Sequence, residues 1–279
     1  MLLSGLMLFM IGKAVLPELL DVGKEGVAIV RVEGPIVDSH QTIEELQAFA
    51  DDPLVKAIVI RIDSPGGAVA PSQEIYNAVK RVRKEQNKTV VASMGTVAAS
   101  GGYYIAVATD RILANPGTIT GSIGVIMQTA NFQELLEKIG VKSVVVKTGK
   151  FKDIGSPFRP MVAEDRQLLE SVMNDTLSQF VEAVADGRSM DAAEVELLAD
   201  GRVFTGRQAK SVLLIDELGD LHDAIKLAGE LSGIEGTPRV VEMTKPFSFQ
   251  EFLESRFLGG IRSLSPSRFS APLLYLWVG

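Results

Sequence analysis

Cysteine is absent from the 279 residues, which excludes disulfides, thiolate metal sites and a cysteine nucleophile together. Histidine is almost absent. His40 and His222 are the only two, so a Ser-His-Asp triad or a histidine-rich metal site would have to use them. Neither sits in a recognisable motif, and both read as structural. Any base in this chain is therefore sought among other side chains. Positive charge is not in excess: the net charge is −7 and no basic stripe stands out, which gives no electrostatic reason to bind nucleic acid. No phosphate-cradling P-loop signature is present, in keeping with action independent of ATP. A long uncharged apolar run is also missing. The nearest approach, Met1 to Gly12, is closed by Lys13, Pro17 and Glu18, whereas a spanning helix needs about 20 apolar residues. That run reads as a signal-anchor, a signal-peptide core without its basic flank, or a docking helix. Its place at a terminus, away from any core, favours an anchor or its remnant over 1–25.

What is present is an ordinary globular composition. Hydrophobic residues make up 46% and charged residues 23%, enough apolar matter for one large α/β domain. Val27–Val32 and Val55–Ile62 read as strands that are apolar almost throughout, as when both faces are covered. Thr89–Met94 is a third, and Val125–Met127, Ser143–Val146 and Leu213–Ile215 are shorter candidates. Helical periodicity marks Thr42–Asp51, Ser72–Arg83, Asn131–Ile139, Glu164–Ala185, Asp191–Leu198 and Leu221–Leu231. A small-residue helix is expected over Ala98–Ala108. Strands and helices alternate early and helices dominate after Pro160, which predicts a layered α/β domain with mostly parallel strands and a helical C-terminal part. The tail beyond 233 ends in the apolar Pro272–Val278.

Three clusters could carry chemistry. Asp63-Ser64-Pro65-Gly66-Gly67 joins a strand to a helix, and its glycines let backbone N–H groups face a ligand; the same residues also make a plain turn. Ser100, in Ala98-Ala99-Ser100-Gly101-Gly102-Tyr103-Tyr104, is sterically open at a helix start, a place that suits a nucleophile and equally an N-cap. Asp63 is expected to fix the glycine turn, and Tyr103 and Tyr104 to pack. Lys152, in Thr148-Gly149-Lys150-Phe151-Lys152-Asp153, could serve as a base if burial favours its neutral form; surface lysines are the commoner case.

Together these clusters resemble the signal peptide peptidase A family. Ile62 to Gly67, Ala99 to Tyr104, Thr120-Gly121-Ser122-Ile123-Gly124-Val125 and Gly149 to Asp153 fall in the family's order and spacing, and Gly201 to Ala209 and Leu214 to Gly219 add to the likeness. It extends over 26–232. The resemblance implies a ClpP/crotonase-like α/β fold, with 26–232 as the peptidase domain and 233–279 as a C-terminal extension. It implies a Ser-Lys dyad with Ser100 as nucleophile and Lys152 as general base. Gly67 and Gly101 would supply the oxyanion hole, and Ser122 would orient the lysine. No cofactor or metal is implied. The partners it implies are peptide substrates, notably remnant signal peptides, and further copies of the chain in a homo-oligomer whose active sites are shared between subunits. The location it implies is a bacterial-type inner membrane, held through the N-terminus, with the protease domain facing the extracytoplasmic side. Two other readings use the same fold: a crotonase-type acyl-CoA enzyme, which needs the glycine-lined hole but no serine and lysine in register, and a non-catalytic membrane scaffold. The apolar tail is expected either to dock in a substrate groove or on a neighbouring subunit, or to pack on its own domain.

Overall fold

The computed structural model describes residues 23–243 and 274–277. The apolar run of 1–12 and most of the C-terminal extension lie outside the described residues. Among those described, no helix is long and apolar enough to cross a membrane.

The apolar segments of the sequence become the middle of one sheet. Its strands are β1 (Gly26–Glu33), β2 (Val55–Ser64), β4 (Thr89–Ala99), β5 (Arg111–Ala114), β6 (Ile119–Gly121), β7 (Val203–Thr205), β8 (Glu217–Leu218) and β9 (Arg239–Glu242). The order along the sheet is β7-β6-β4-β2-β1-β9, with β5 and β8 branching from β4. All pairings are parallel except β6 with β7. The unbroken apolar character of β1 and β2 follows from burial on both faces. Val30, Val32, Ile58, Ile60 and Ile62 face one core, shared with the helices His40–Asp51, Val69–Glu85, Gly101–Ala106 and the C-terminal half of Ala163–Arg188. Their neighbours Val27, Ile29, Ala57 and Val59 face a second, smaller core under Ala224 and Ala228 of the helix Leu221–Leu231. The alternation of side chains along each strand divides the residues between the two layers.

β4 is longer than the expected Thr89–Met94. Its first half pairs with β5 and its last residues, Val97–Ala99, pair with β6. The helix expected from Ala98 consequently begins only at Gly101. Ser143–Val146 forms no strand: Val144 and Val146 are 84% and 97% exposed. β-branched residues favour extended backbone, but a strand also needs a partner edge. Leu214 and Ile215 are buried as an apolar turn rather than a strand, and the chain pairs with β5 slightly later, at β8. Val125–Met127 makes only a bridge, from Ile126 to Leu274.

Candidate active site

The sheet's register assembles the site. Ser64 at the end of β2 stands beside Ala98 of β4, and Ala99 stands beside Gly121 of β6. The turn after β2, the turn after β4 and the turn after β6 therefore open at the same carboxyl edge of a parallel sheet, the usual place for a site in such folds. Ser100 and Ser122 occupy equivalent positions, one residue past the ends of β4 and β6. The Ser100 N–H donates to the Gly121 carbonyl at 2.8 Å, locking the two turns together.

Ser100 has φ 53° and ψ −114°, a backbone conformation that costs a non-glycine residue on the order of 1–3 kcal/mol. Its side chain is buried, and its Oγ has no hydrogen-bond partner. A buried hydroxyl without a partner is costly and uncommon. Strain and an unused hydroxyl thus meet at one residue, and Ser100 makes no side-chain capping bond to the helix that follows it.

Beside it lies the glycine turn. Ser64 Oγ accepts the Gly66 N–H at 3.1 Å, so Ser64 fixes this turn. The Asp63 carboxylate, expected in that role, instead accepts the Val97 N–H at 3.1 Å and ties β2 to β4. Gly66 has φ +94°, and a Cβ there would overlap the Tyr275 carbonyl oxygen and lie 2.6 Å from the Gly101 nitrogen. Gly67 belongs to the short strand β3 (Gly66–Ala68). The backbones of Gly66 and Gly101 thus border one small space that also receives a carbonyl oxygen, whereas a Cβ on Gly67 would run into the Ile36 backbone.

That carbonyl comes from the chain's own tail. Leu274–Leu276 (β10) pairs antiparallel with β3, Tyr275 opposite Gly67. On its other edge the tail exchanges two bonds with Ile126, each 3.1 Å, and the Trp277 N–H donates to the Pro65 carbonyl at 2.8 Å. Tyr275 is fully buried. Ser122, buried and also at positive φ (50°), lines a cleft with Gly124, Ile126, Leu276 and Trp277.

Lys152 is placed differently. It lies exposed in a turn whose backbone bond runs from the Lys152 N–H to the Gly149 carbonyl at 3.2 Å. Because Ser100 Oγ has no partner, the two proposed dyad members are not hydrogen-bonded in this chain. Of the other cations of the segment, Lys147 pairs with Asp153 at 2.6 Å, Lys150 with Glu164, and Arg159 with Asp153 at 3.0 Å and with Asp165, while Lys142 makes no ion pair among the described residues. Arg159 above all, and then Lys147, hold the Asp153 carboxyl below its ordinary range. Lys152 has no ion pair among the described residues. The structure thus brings together Ser100, Ser122, Gly66 and Gly101, sets Gly67 opposite Tyr275 on β3, and leaves Lys152 outside that group. Gly66, Ser64 and Tyr275 are the residues that sequence reasoning did not single out. Their roles follow from a backbone angle, a turn bond and a long-range pairing, none of which has a local signal. No cluster that could hold a metal ion occurs among the described residues. His40 forms a surface pair with Glu44 at 3.5 Å.

Comparison with known proteins gives two family matches: peptidase family S49 over residues 82–235 and Clp protease over residues 27–118. The Synechocystis sp. protein slr0021, by its name a candidate protease, is 41% identical over 221 residues, covering 79% of this chain and 78% of its own length. The chloroplastic serine protease SPPA of Arabidopsis thaliana is 37% identical over 232 residues, 80% of this chain and 34% of the plant protein. An Enterococcus faecium protein, by its name a candidate signal peptide peptidase SppA, is 38% identical over 188 residues, 67% of this chain and 54% of that protein. The chain thus spans only part of the longer relatives.

Proposed function

The chain belongs to peptidase family S49 and is a serine peptidase of the signal peptide peptidase A type on a Clp protease-like α/β fold; on that premise we propose that Ser100 is its nucleophile and Lys152 its general base. The observation that carries the reading is the Ser100 residue: strained in backbone, its hydroxyl buried and unpartnered, and followed by Gly101, whose backbone lies against Gly66. A neutral lysine takes the hydroxyl proton as Ser100 Oγ attacks a peptide carbonyl carbon. The N–H groups of Gly67 and Gly101 hold the oxyanion, each such donor being worth about 10²–10³ in rate. The lysine returns the proton to the leaving amine, and water then releases the acyl group with the same lysine as base. Ser122, one residue past β6, orients the lysine.

The lysine reaches the serine from a neighbouring subunit. Lys152 is exposed and unpaired, and its segment also exposes Phe132, Leu135, Ile139, Val144 and Val146, more apolar surface than a monomer usually presents in one stretch. Burying that face against a second copy would bring Lys152 out of solvent and toward that copy's Ser100. The substrates in this reading are hydrophobic peptides, remnant signal peptides among them, cut without ATP at a bacterial-type inner membrane on its extracytoplasmic side. The apolar start of the chain and the name of the Enterococcus relative support this.

The test is hydrolysis of a fluorogenic hydrophobic peptide by wild type, Ser100→Ala and Lys152→Ala. Each substitution is expected to abolish activity, and mixing the two inactive proteins to restore part of it. Activity that survives Lys152→Ala would place the base elsewhere. Failure to recover activity despite demonstrated subunit exchange would rule out sharing.

A further inference from the structure

Lys152 sits in a stretch that no regular element supports. Between the helices Gln133–Lys138 and Ala163–Arg188 the chain forms neither helix nor strand. It folds through short turns, in which the Lys152 N–H donates to the Gly149 carbonyl, the Ile154 N–H to Phe151 at 3.0 Å and the Ser156 N–H to Asp153 at 3.1 Å. Apolar burial does not anchor it, since Val144, Val146 and Phe151 are exposed. The side chain beside Lys152 that is withdrawn from solvent is Asp153, at 12% exposure. A general base must hold its nitrogen within hydrogen-bond reach of the proton it takes, so the backbone of this turn has to be fixed by something.

A chain of charged groups does this. Arg159 Nη2 donates to Asp153 Oδ1 at 3.0 Å, while its Nη1 donates to Asp165 Oδ2 and to the Pro160 carbonyl at 3.0 Å. The planar guanidinium thus bridges two carboxylates with separate arms, a geometry that an ammonium group does not reproduce. Lys147 Nζ closes the other side, donating to Asp153 Oδ1 at 2.6 Å and to the Lys150 carbonyl at 2.9 Å. Asp165 is the fixed end. It stands in the first turn of the helix Ala163–Arg188, is 3% exposed and accepts the Val162 N–H at 3.3 Å. Further along, the same helix buries Phe180, Val181 and Val184 in the larger core. A continuous path of contacts therefore runs from the core through Asp165, Arg159 and Asp153 to the residue next to Lys152.

We propose that Arg159 is a positioning residue for the reaction: through Asp153 it fixes the turn that presents Lys152, with the helix Ala163–Arg188 as its footing. The proposal rests on Lys152 being the base. Its test uses the division of the site between subunits, because Arg159 acts only on the lysine of its own chain. Full-length Ser100→Ala protein, which can give only the lysine, is mixed with full-length Lys152→Ala protein, which can give only the serine. Arg159→Ala is then added to one chain or to the other. On the Ser100→Ala chain it should cut the recovered kcat about 100-fold with KM unchanged, the effect of a reacting group misplaced by about 1 Å, and on the Lys152→Ala chain it should change kcat by less than about twofold. Lys150→Ala, which removes the exposed pair with Glu164 from the same segment, is the control and should leave wild-type activity intact. Equal loss in both arrangements, loss only on the Lys152→Ala chain, or no loss in either overturns the proposal and leaves the dyad standing. Should Arg159→Ala chains fail to fold, Arg159→Lys takes their place: a cation stays between the carboxylates without the fork, and a loss of about tenfold is expected in the first arrangement alone. If the parent mixture recovers nothing although wild type is active, sharing is refuted and Arg159→Ala by itself decides. A fall in kcat with KM unchanged that added guanidinium ion reverses then upholds the proposal, and any other result overturns it. Activity that survives Lys152→Ala refutes Lys152 as the base and this proposal with it.

Discussion

Replacing Gly66 by alanine separates the chemistry of the site from the stability of the fold. The backbone there has φ +94°, and forcing a Cβ into a left-handed conformation costs on the order of 1–2 kcal/mol. Gly233, at φ +79° just past the helix Leu221–Leu231, carries the same kind of strain with nothing within 4 Å of its Cβ direction. Gly233→Ala is thus the matched control for strain alone. In Gly66→Ala the new methyl would also stand 2.6 Å from the Gly101 nitrogen. Its obstacles are backbone atoms, which cannot swing aside as a side chain could. The methyl would occupy the space proposed for the oxyanion and push aside one of its donors. Loss of one such donor corresponds to about 10²–10³ in kcat. Thermal unfolding should fall by a few degrees in both variants, about 2–4 °C per kcal/mol for a chain of this size class. Peptide hydrolysis measured without ATP should then fall at least about 100-fold in kcat for Gly66→Ala and stay near wild type for Gly233→Ala. If Gly66→Ala is folded and keeps kcat/KM within about threefold of Gly233→Ala, the site does not use this space and the reasoning is refuted.

The same geometry carries three further expectations. Tyr103 is fully buried and donates to the Leu214 carbonyl at 2.8 Å, so Tyr103→Phe should cost about 1–3 kcal/mol by leaving that acceptor unpartnered, read as a drop in unfolding midpoint. The largely buried Arg188 pairs with Asp216 at 2.9 Å, and Asp216 also accepts the Ile112 N–H at 2.7 Å. Arg188→Ala should therefore destabilise by roughly 3 kcal/mol or more by stranding the carboxylate, whereas Arg202→Ala, whose surface pair with Asp200 is half exposed, should change stability by less than about 1 kcal/mol. Asp153 and Asp165 have carboxyls depressed chiefly by Arg159. A depressed acid stabilises the fold above its unfolded pKa and loses that contribution as pH falls through the folded value. Amide exchange over 147–165 should thus accelerate only below about pH 4, and faster exchange beginning already near pH 6 would contradict the network.

The proposed oligomer would be expected to order the same region. The segment 141–162 meets no strand partner among the described residues, and its exposed valines and Lys152 fit the proposed interface with a second copy. Size measurement by light scattering of wild type and Val144→Asp protein tests this directly. A wild-type monomer, or an oligomer unaffected by the substitution, would remove the support for a shared site.

The sequence alone determined a good deal. The doubly buried strands β1 and β2, the helix Leu221–Leu231 and the glycine–serine clusters are legible because they depend on composition and period over a few neighbouring residues. Four motifs in register added the family and, with it, the expected serine and lysine. The tertiary structure decided the rest. It began the helix at Gly101 rather than at Ala98, since β4 is prolonged to Ala99 by pairing with β6. It gave the glycine turn to Ser64 instead of Asp63, a choice made by which oxygen reaches Gly66. It left Val144 and Val146 exposed despite their propensity, and it set Tyr275 opposite Gly67 from the far end of the chain. Each of these depends on which backbone edges meet. That is fixed by the competition of distant segments for hydrogen bonds and buried area, a quantity no local window of residues contains.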